Sequence, residues 1–150
     1  MIFEVKMLDQ VDQSILRHLV ENARMSIKEI AQQVGLSSPS ISDRIRRLEE
    51  RGIIRGYTLD IDPKALGFPL QAIVHIRPLP GKLHAVQQLI EELAAFGECD
   101  KVTGDDCYFA RLYIRSIEEL DTILNKIVEK AETRTSIVKS QPVLRRPPPF

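Results

Sequence analysis

The sequence has few of the residues that support redox or metal chemistry. Its two cysteines, Cys99 and Cys107, are separated by seven residues, which matches neither a CxxC redox pair nor a metal-binding set. The three histidines, His18, His75 and His84, are scattered along the chain and do not complete such a set. We therefore expect buried or half-buried thiols, no metal ion and no cofactor.

A long apolar run and an excess of charge are also missing. No stretch approaches the roughly 20 apolar residues of a membrane span, and no charged start precedes a long apolar core at the beginning of the chain. We therefore expect a cytoplasmic globular protein without a membrane partner. The 150 residues suffice for one ordinary domain or two very small ones. The formal net charge of zero counts against strong non-specific nucleic-acid binding, which depends on neutralising phosphates.

The charge is unevenly distributed along the chain. Between Arg24 and Arg55, seven basic residues stand against four acidic ones, a local excess of three. This modest excess would give useful affinity for DNA if two or more copies presented their basic segments together.

Residues 26–52 carry the pattern of a helix-turn-helix. A capping box at Ser26 begins the first helix, and Gly35 supplies the residue that tolerates the left-handed conformation at its end. The second helix begins at a capping serine, either Ser37 or Ser38, and continues to the end of the segment.

The second helix has an inward and an outward face. Helical spacing directs three apolar residues inward: Ile41, Ile45 and Leu48. The outward residues are Ser40, Asp43 and Arg47, flanked by Arg44 and Arg46. Hydroxyl and guanidinium groups serve base edges and phosphates, so this face is typical of a major-groove reader. The alternative is a solvated face whose arginines pair with glutamates along the helix. The predicted DNA-binding residues are Lys28, Ser38, Ser40, Ser42, Asp43, Arg44, Arg46, Arg47 and Arg55.

The segments around the helix-turn-helix complete a first domain. A helix capped by Asp9 precedes it, with apolar residues at helical spacing. Residues 53–61 are rich in β-branched and aromatic residues, which predicts an extended wing or connecting strand. Proline and glycine punctuate residues 60–69, so we place the domain boundary there, with domains at 1–60 and 61–150.

The second domain alternates between strand and helix patterns. The predicted strands cover residues 70–77, 98–103, 108–115 and 135–144, and the predicted helices cover 83–96, closed by Gly97, and 117–128. This order is the βαββαβ, ferredoxin-like arrangement, in which two helices cover one face of an antiparallel sheet. The fold class is therefore α+β. Apolar residues such as Ile73, Phe109 and Tyr113 remain on the other face, where a second copy of the chain would cover them.

Several motifs together resemble one family. They are Leu8-Asp9-x-x-Asp12-x-x-Ile15-Leu16, the GLSxxxIxxRIxxLExxGII of residues 35–54, Asp62-Pro63-x-x-Leu66-Gly67, and Val102-Thr103-Gly104-Asp105. Through them the chain resembles the Lrp/AsnC family, the leucine-responsive (feast/famine) regulators, over residues 8–146. The resemblance implies an N-terminal winged helix-turn-helix that binds double-stranded DNA and a C-terminal amino-acid-sensing domain. It also implies homodimers formed through the sheets, often assembled further into octamers or related rings.

The resemblance places the hairpin around Gly104 where neighbouring dimers meet. A free amino acid needs acceptors for its ammonium group and donors for its carboxylate, and aspartates, a glycine that lets backbone amides approach, and threonine hydroxyls could supply them. The predicted effector-binding residues are Thr103, Gly104, Asp105, Asp106, Thr133 and Thr135. The alternative is an ordinary tight turn, since turns favour aspartate and glycine.

The sequence leaves two other functional classes open. Sirohaem decarboxylases resemble the family in architecture, but such an enzyme would have little need of a basic recognition helix. A protein-interaction module could use the helix-turn-helix for packing alone. No catalytic spacing or phosphate-binding loop points to other chemistry. The sequence therefore favours a non-enzymatic transcriptional regulator of amino-acid-related metabolism, modulated by a free amino acid.

Overall fold

The structure, a computed structural model, describes residues 8–105 and 107–150. The chain divides into two compact units: one comprises the chain up to Leu59 together with Pro147–Phe150, and the other comprises Asp60–Arg146. None of the helices within the described ranges combines the length and apolar character needed to cross a lipid bilayer.

The first unit contains three helices, α1 (Gln10–Glu21), α2 (Ile27–Val34) and α3 (Ser38–Glu50). The side chain of Asp9 caps α1, and Ser26 and Glu29 form the predicted reciprocal capping box at α2. Gly35 ends α2 with a left-handed φ of 77°. Ser37, rather than Ser38, caps α3 by accepting a hydrogen bond from the Ser40 amide. These local signals act within four residues, and the predictions drawn from them are confirmed.

A small apolar cluster holds the three helices together. Its buried residues are Ile15, Leu16, Ile30, Ala31, Ile41 and Leu48. The inward face predicted for α3 therefore packs as expected, with Ile45 half-buried against the same cluster. Each helix contributes two buried residues, so the orientation of α3 depends on both of its neighbours.

The prediction of a strand within residues 53–61 is wrong. All of these residues are described, and they form no helix or strand. The amides of Ile53 and Ile54 donate instead to the carbonyl oxygen of Leu48, at 2.9 and 3.1 Å, and so close the end of α3. Alternating apolar residues favour extended backbone, but a strand also needs a hydrogen-bonding partner. No strand in the described parts of the chain provides one.

The second unit has the predicted βαββαβ order. Its elements are β1 (Leu70–Pro78), α4 (Leu83–Glu92), β2 (Phe96–Lys101), β3 (Tyr108–Ile114), α5 (Ile117–Asn125) and β4 (Ala131–Ile137). The strands form one sheet in the order β2-β3-β1-β4, and each neighbouring pair is antiparallel. This is the ferredoxin-like arrangement expected from the sequence.

One face of the sheet packs against α4 and α5. Alternate residues of β1 and β3 join Val86 and Ile90 of α4 and Leu120 and Ile123 of α5 in a single buried core. The intervening residues of β1 and β3 point to the opposite face, here called the open face. Its side chains are half-buried or exposed and include Ile73, His75, Phe109, Arg111 and Tyr113.

The predicted end of α4 is wrong by several residues. The helix stops at Glu92, because Leu93 is already extended, and Phe96 begins β2 opposite Leu112. Gly97 therefore lies within a strand, at a shift in the β2–β3 register between Phe96 and Glu98. A Cβ on Gly97 would lie 2.3 Å from Cε2 of Tyr113. The close approach of this ring, and not a helix end, accounts for the glycine.

The boundaries of the last two elements also differ from the prediction. Helix α5 ends at Asn125 instead of residue 128, and turns carry the chain to β4 at Ala131, four residues before the predicted start at 135. Pairing with β1 sets these limits, because Ala131 lies opposite Pro78 and Ile137 lies opposite Ala72. Residues 138–144 have strand composition but extend beyond this pairing.

Candidate nucleic-acid interface and effector site

The outward face of α3 presents the predicted polar residues at different exposures. Ser42, Arg46 and Arg47 are exposed, whereas Ser38, Ser40 and Asp43 are half-buried. Lys28 on α2 and Arg55, beyond the end of α3, are also exposed. Since Ile41 and Leu48 of the same helix are buried, the core determines which face of α3 is available to a partner. Whether these residues contact DNA remains a prediction.

Asp43 is the centre of an ion-pair network along α3. Its carboxylate accepts from Arg46 at 2.5 Å and lies 2.7 Å from Nη2 of Arg47. Arg46 also pairs with Glu50, at 2.5 Å. The hydrogen bond from Arg46 lowers the pKa of Asp43, so the carboxylate is ionised at neutral pH. These ion pairs are exposed and lie within one helix, so they contribute little to stability. DNA phosphates can therefore take the place of the carboxylates as partners of the arginines.

Arg44 has different partners from those of its neighbours on α3. One guanidinium nitrogen, Nη1, lies 2.6 Å from Oδ2 of Asp9 and 2.8 Å from Oδ1 of Asp12. The hydrogen bond from Arg44 is the largest cause of the lowered pKa of Asp9. These two aspartates were not predicted as partners of α3. The sequence shows only that the two aspartates lie three residues apart at the start of α1. That spacing does not identify a cationic partner 32 or more residues away.

Tyr57 is a further contact of α3 that the sequence did not indicate. Its hydroxyl donates to Oε1 of Glu49 at 2.9 Å. This bond joins the segment that follows α3 to the exposed end of that helix. Of the pairs that the solvated-face alternative named, the one between Arg46 and Glu50 is present, whereas Glu49 accepts from Tyr57.

The structure brings together two of the predicted effector residues. A cavity of about 320 Å³ is lined by His75, Arg77, Asp105, Glu132, Thr133 and Arg134. Asp105 comes from the turn between β2 and β3, and Thr133 comes from β4, not from the segment before that strand as predicted. Within this cavity Arg77 and Glu132 form an ion pair across β1 and β4. All of its lining residues carry polar or charged side chains.

The other effector candidates do not line this cavity. Thr103 and Thr135 are exposed, and Asp106 lies outside the described residues. Gly104 has a φ of 108°, a conformation that other residues rarely adopt. Successive side chains of a strand point to opposite faces of the sheet, so Thr133 and Thr135, two residues apart in β4, point to the same face.

The cysteines and other possible metal ligands have ordinary surroundings. Cys99 is exposed, so the expectation of a buried or half-buried thiol is wrong there, because β2 is an edge strand. Cys107 is half-buried, and both cysteines are free thiols. Among the residues that the structure describes, no group of three His, Cys, Asp or Glu side chains is arranged to hold a metal ion.

Two family models match the two units. The model for a winged helix-turn-helix DNA-binding domain matches residues 8–55, and the model for an Lrp/AsnC ligand binding domain matches residues 71–148. The two units thus define a regulator that joins a DNA-binding domain to a ligand-binding domain. The chain belongs to the Lrp/AsnC family of transcriptional regulators.

Individual relatives cover nearly the whole chain. The HTH-type transcriptional regulator LrpC of Bacillus subtilis is 33% identical over 134 residues, covering 89% of this chain and 93% of the relative. The structure of LrpC covers 93% of this chain and 99% of its own, at 32% identity and a TM-score of 0.86. A feast or famine regulatory protein from M. tuberculosis, complexed with L-methionine, has a TM-score of 0.85 at 30% identity and covers 94% and 98% of the two chains.

These relatives are transcriptional regulators and not enzymes. The comparisons give the sirohaem-decarboxylase alternative no support, and the regulator predicted from the sequence is confirmed.

Proposed function

We propose that this regulator controls genes of amino-acid-related metabolism by reading an operator in the major groove with α3. The outward face of α3 carries this proposal. Its hydroxyls and exposed arginines can contact base edges and phosphates, while its opposite face is fixed in the core of the first unit. In the proposed division of roles, residues 1–60 bind DNA, and residues 61–150 bind the effector and assemble the protein.

The proposed assembly is a homodimer, with an octamer or related ring as the larger form. The formal net charge of zero supports this assembly. A single DNA-binding unit has only a small positive excess, and it gains affinity when a second unit binds the same DNA beside it. Two heads reading a palindrome would be spaced by about one turn of DNA, roughly 34–36 Å. The apolar residues of the open face, including Ile73 and Phe109, supply a surface for the second copy.

Replacing Arg47 by alanine is expected to weaken operator binding. If Arg47 contacts a base, the loss should be about 1–3 kcal/mol per head and should depend on the base at one position. If it contacts a phosphate, binding should weaken for all sequences and the dependence on salt should become shallower. A salt titration of binding to genomic fragments captured by the wild-type protein would distinguish these results.

Arg115→Ala is the matched control for this experiment. Arg115 is also an exposed arginine, and it pairs with Glu119, four residues further along the chain. Unlike Arg47, it belongs to the second unit. We expect this variant to bind the same fragments as tightly as the wild type. Unchanged binding by an Arg46/Arg47 double alanine variant would contradict the assignment of α3 as the reading helix.

The proposed effector is a free amino acid bound at the turn between β2 and β3. The relative complexed with L-methionine supports this class of ligand, as does the match to a ligand binding domain. The cavity that joins Asp105 to Thr133 supports the location, because it offers a carboxylate for the ammonium group and a hydroxyl close by. Its volume of about 320 Å³ lies at the lower end of the range for small-molecule sites.

Adding the cognate amino acid is expected to change the oligomer distribution. A ligand that contacts only one assembly state stabilises that state. Sedimentation with each of the twenty amino acids at millimolar concentration would reveal the change, and Gly104→Trp is expected to abolish it while both units stay folded. Gly67→Trp is the control, since Gly67 also has a positive φ, of 86°, but lies before β1 and not in the turn next to Asp105. No change in mass or thermal stability with any amino acid would remove the sensing role.

A further inference from the structure

Arg44 lies on α3 but is directed toward α1. A single nitrogen of its guanidinium group bridges two carboxylates, with distances of 2.6 Å to Asp9 and 2.8 Å to Asp12. Both carboxylates belong to the start of α1: Asp9 is its capping residue and Asp12 lies in its first turn. The charged contact therefore joins the middle of one helix to the beginning of another.

Asp9 uses its two oxygens for different purposes. Oδ1 accepts a hydrogen bond from the Asp12 amide at 2.7 Å, which caps α1. Oδ2 accepts from Arg44. The group that Arg44 holds is thus itself fixed to the backbone of α1, so the bond constrains the position of a helix end rather than that of a flexible side chain.

The apolar contacts between α1 and α3 do not supply the same constraint. Ile15 and Leu16 of α1 pack in one cluster with Ile41 and Leu48 of α3, but apolar attraction has no preferred direction. Charge-assisted hydrogen bonds depend on angle and distance. The bridge through Arg44 therefore fixes a rotation of α3 that packing alone leaves less well defined.

The other arginines of the outward face differ from Arg44 in their ion-pair partners and in their exposure. Within the described ranges, Arg46 and Arg47 form their ion pairs with carboxylates of α3, and the side chain of Arg47 is 66% exposed. The side chain of Arg44 is 29% exposed and that of Asp12 is 13% exposed. If Arg44 turned to a DNA phosphate, a largely buried carboxylate would lose its cation, which is costly.

We propose that Arg44 is a positioning residue, which sets the angle at which α3 enters the DNA groove by bridging Asp9 and Asp12, and does not itself contact DNA. This inference rests on the proposed reading of DNA by α3. It replaces the direct contact predicted for Arg44 from the sequence with an indirect role.

Asp9→Asn tests this role by the direction of its effect. Asparagine keeps the cap on α1 but removes a negative charge from Arg44. Losing this charge weakens the repulsion of phosphates equally for any duplex, so the measured quantity is the ratio of the affinities for the captured genomic fragment and for a random duplex of equal length. A positioning role predicts that this ratio falls several-fold. A direct contact predicts that the less restrained Arg44 leaves the ratio unchanged or raises it.

Exchanging the charges gives a second, independent test. Arg44→Asp alone is expected to reduce affinity for the captured fragment by at least about tenfold, because a displaced helix loses more than one base contact. Combining it with Asp12→Arg should restore affinity to within about threefold of the wild type. A residue that contacts DNA cannot be rescued by moving its charge to another helix.

The control for the exchange is Asp12→Arg combined with Arg44→Ala, which adds the same cation to α1 without a partner on α3. We expect this variant not to recover affinity for the captured fragment. Recovery would mean that the added charge acts directly on DNA, and it would overturn the proposal. Circular dichroism would verify that each variant is folded. If an exchanged pair does not fold, Asp9→Asn still decides the outcome. If the wild-type protein does not prefer any fragment over the random duplex, the proposed DNA-reading function fails instead.

Discussion

Replacing Ile41 by alanine is expected to lower the free energy of unfolding of the first unit by about 2–5 kcal/mol. Ile41 is fully buried in α3, so the smaller side chain removes apolar contacts and leaves a cavity. The described part of the chain places five other buried residues in the cluster around Ile41, so few neighbours can move to fill that space. Chemical denaturation followed by circular dichroism would measure the loss.

Ile27→Ala provides the matched comparison. Ile27 begins α2 and is 41% exposed, so the same change in side-chain volume should cost much less than at Ile41. The second unit has a separate core, built from β1, β3, α4 and α5, and its unfolding should not change in either variant. Equal losses for Ile27 and Ile41 would show that this cluster does not hold the first unit together.

Introducing a lysine at Ile73 is expected to convert the proposed dimer into a monomer. Ile73 lies on the open face of β1, between Arg111 of β3 and Ser136 of β4. A charge at this position would have to be buried in a face-to-face interface beside an existing arginine, which costs several kcal/mol. Sedimentation at micromolar concentration should show the mass of a single chain, with little change in thermal stability, because Ile73 does not belong to the core.

Ile117→Lys controls for the added charge. Ile117 begins α5 and is exposed, and α5 packs on the opposite face of the sheet. This variant should keep the wild-type mass. A dimer that survives Ile73→Lys, or a wild-type protein that is monomeric under these conditions, would refute the proposed interface.

The sequence predicted the elements of this fold better than it predicted their ends. Caps at Asp9, Ser26 and Ser37 act within one turn of helix, so the starts of α1, α2 and α3 follow from local chemistry. Alternation in β1 and β3 predicted the correct residues for the buried face. The ends of α4, α5 and β4 depend instead on pairing between distant strands, which residue composition does not encode.

The candidate site shows the same limit. Periodicity was enough to predict which face of α3 points away from the core. It could not show that Arg44 turns toward α1, because its partners lie 32 and 35 residues earlier in the chain. At the effector turn, Asp105 and Thr133 were predicted because their side chains can bind an amino acid. The cavity is also lined by four residues that were not predicted: His75, Arg77, Glu132 and Arg134. Those residues come together only when β1 and β4 pair.

The close contact between Gly97 and the ring of Tyr113 limits how this sequence can diverge. Any side chain at position 97 would meet the ring, with the first added carbon only 2.3 Å from it. A substitution there is tolerable only after the tyrosine has become smaller or has turned away. The reverse order has no such barrier, because a smaller residue at position 113 leaves the glycine undisturbed. The residues at these two positions should therefore be coupled, because a side chain at position 97 fits only beside a smaller residue at 113 or a tyrosine ring in another rotamer.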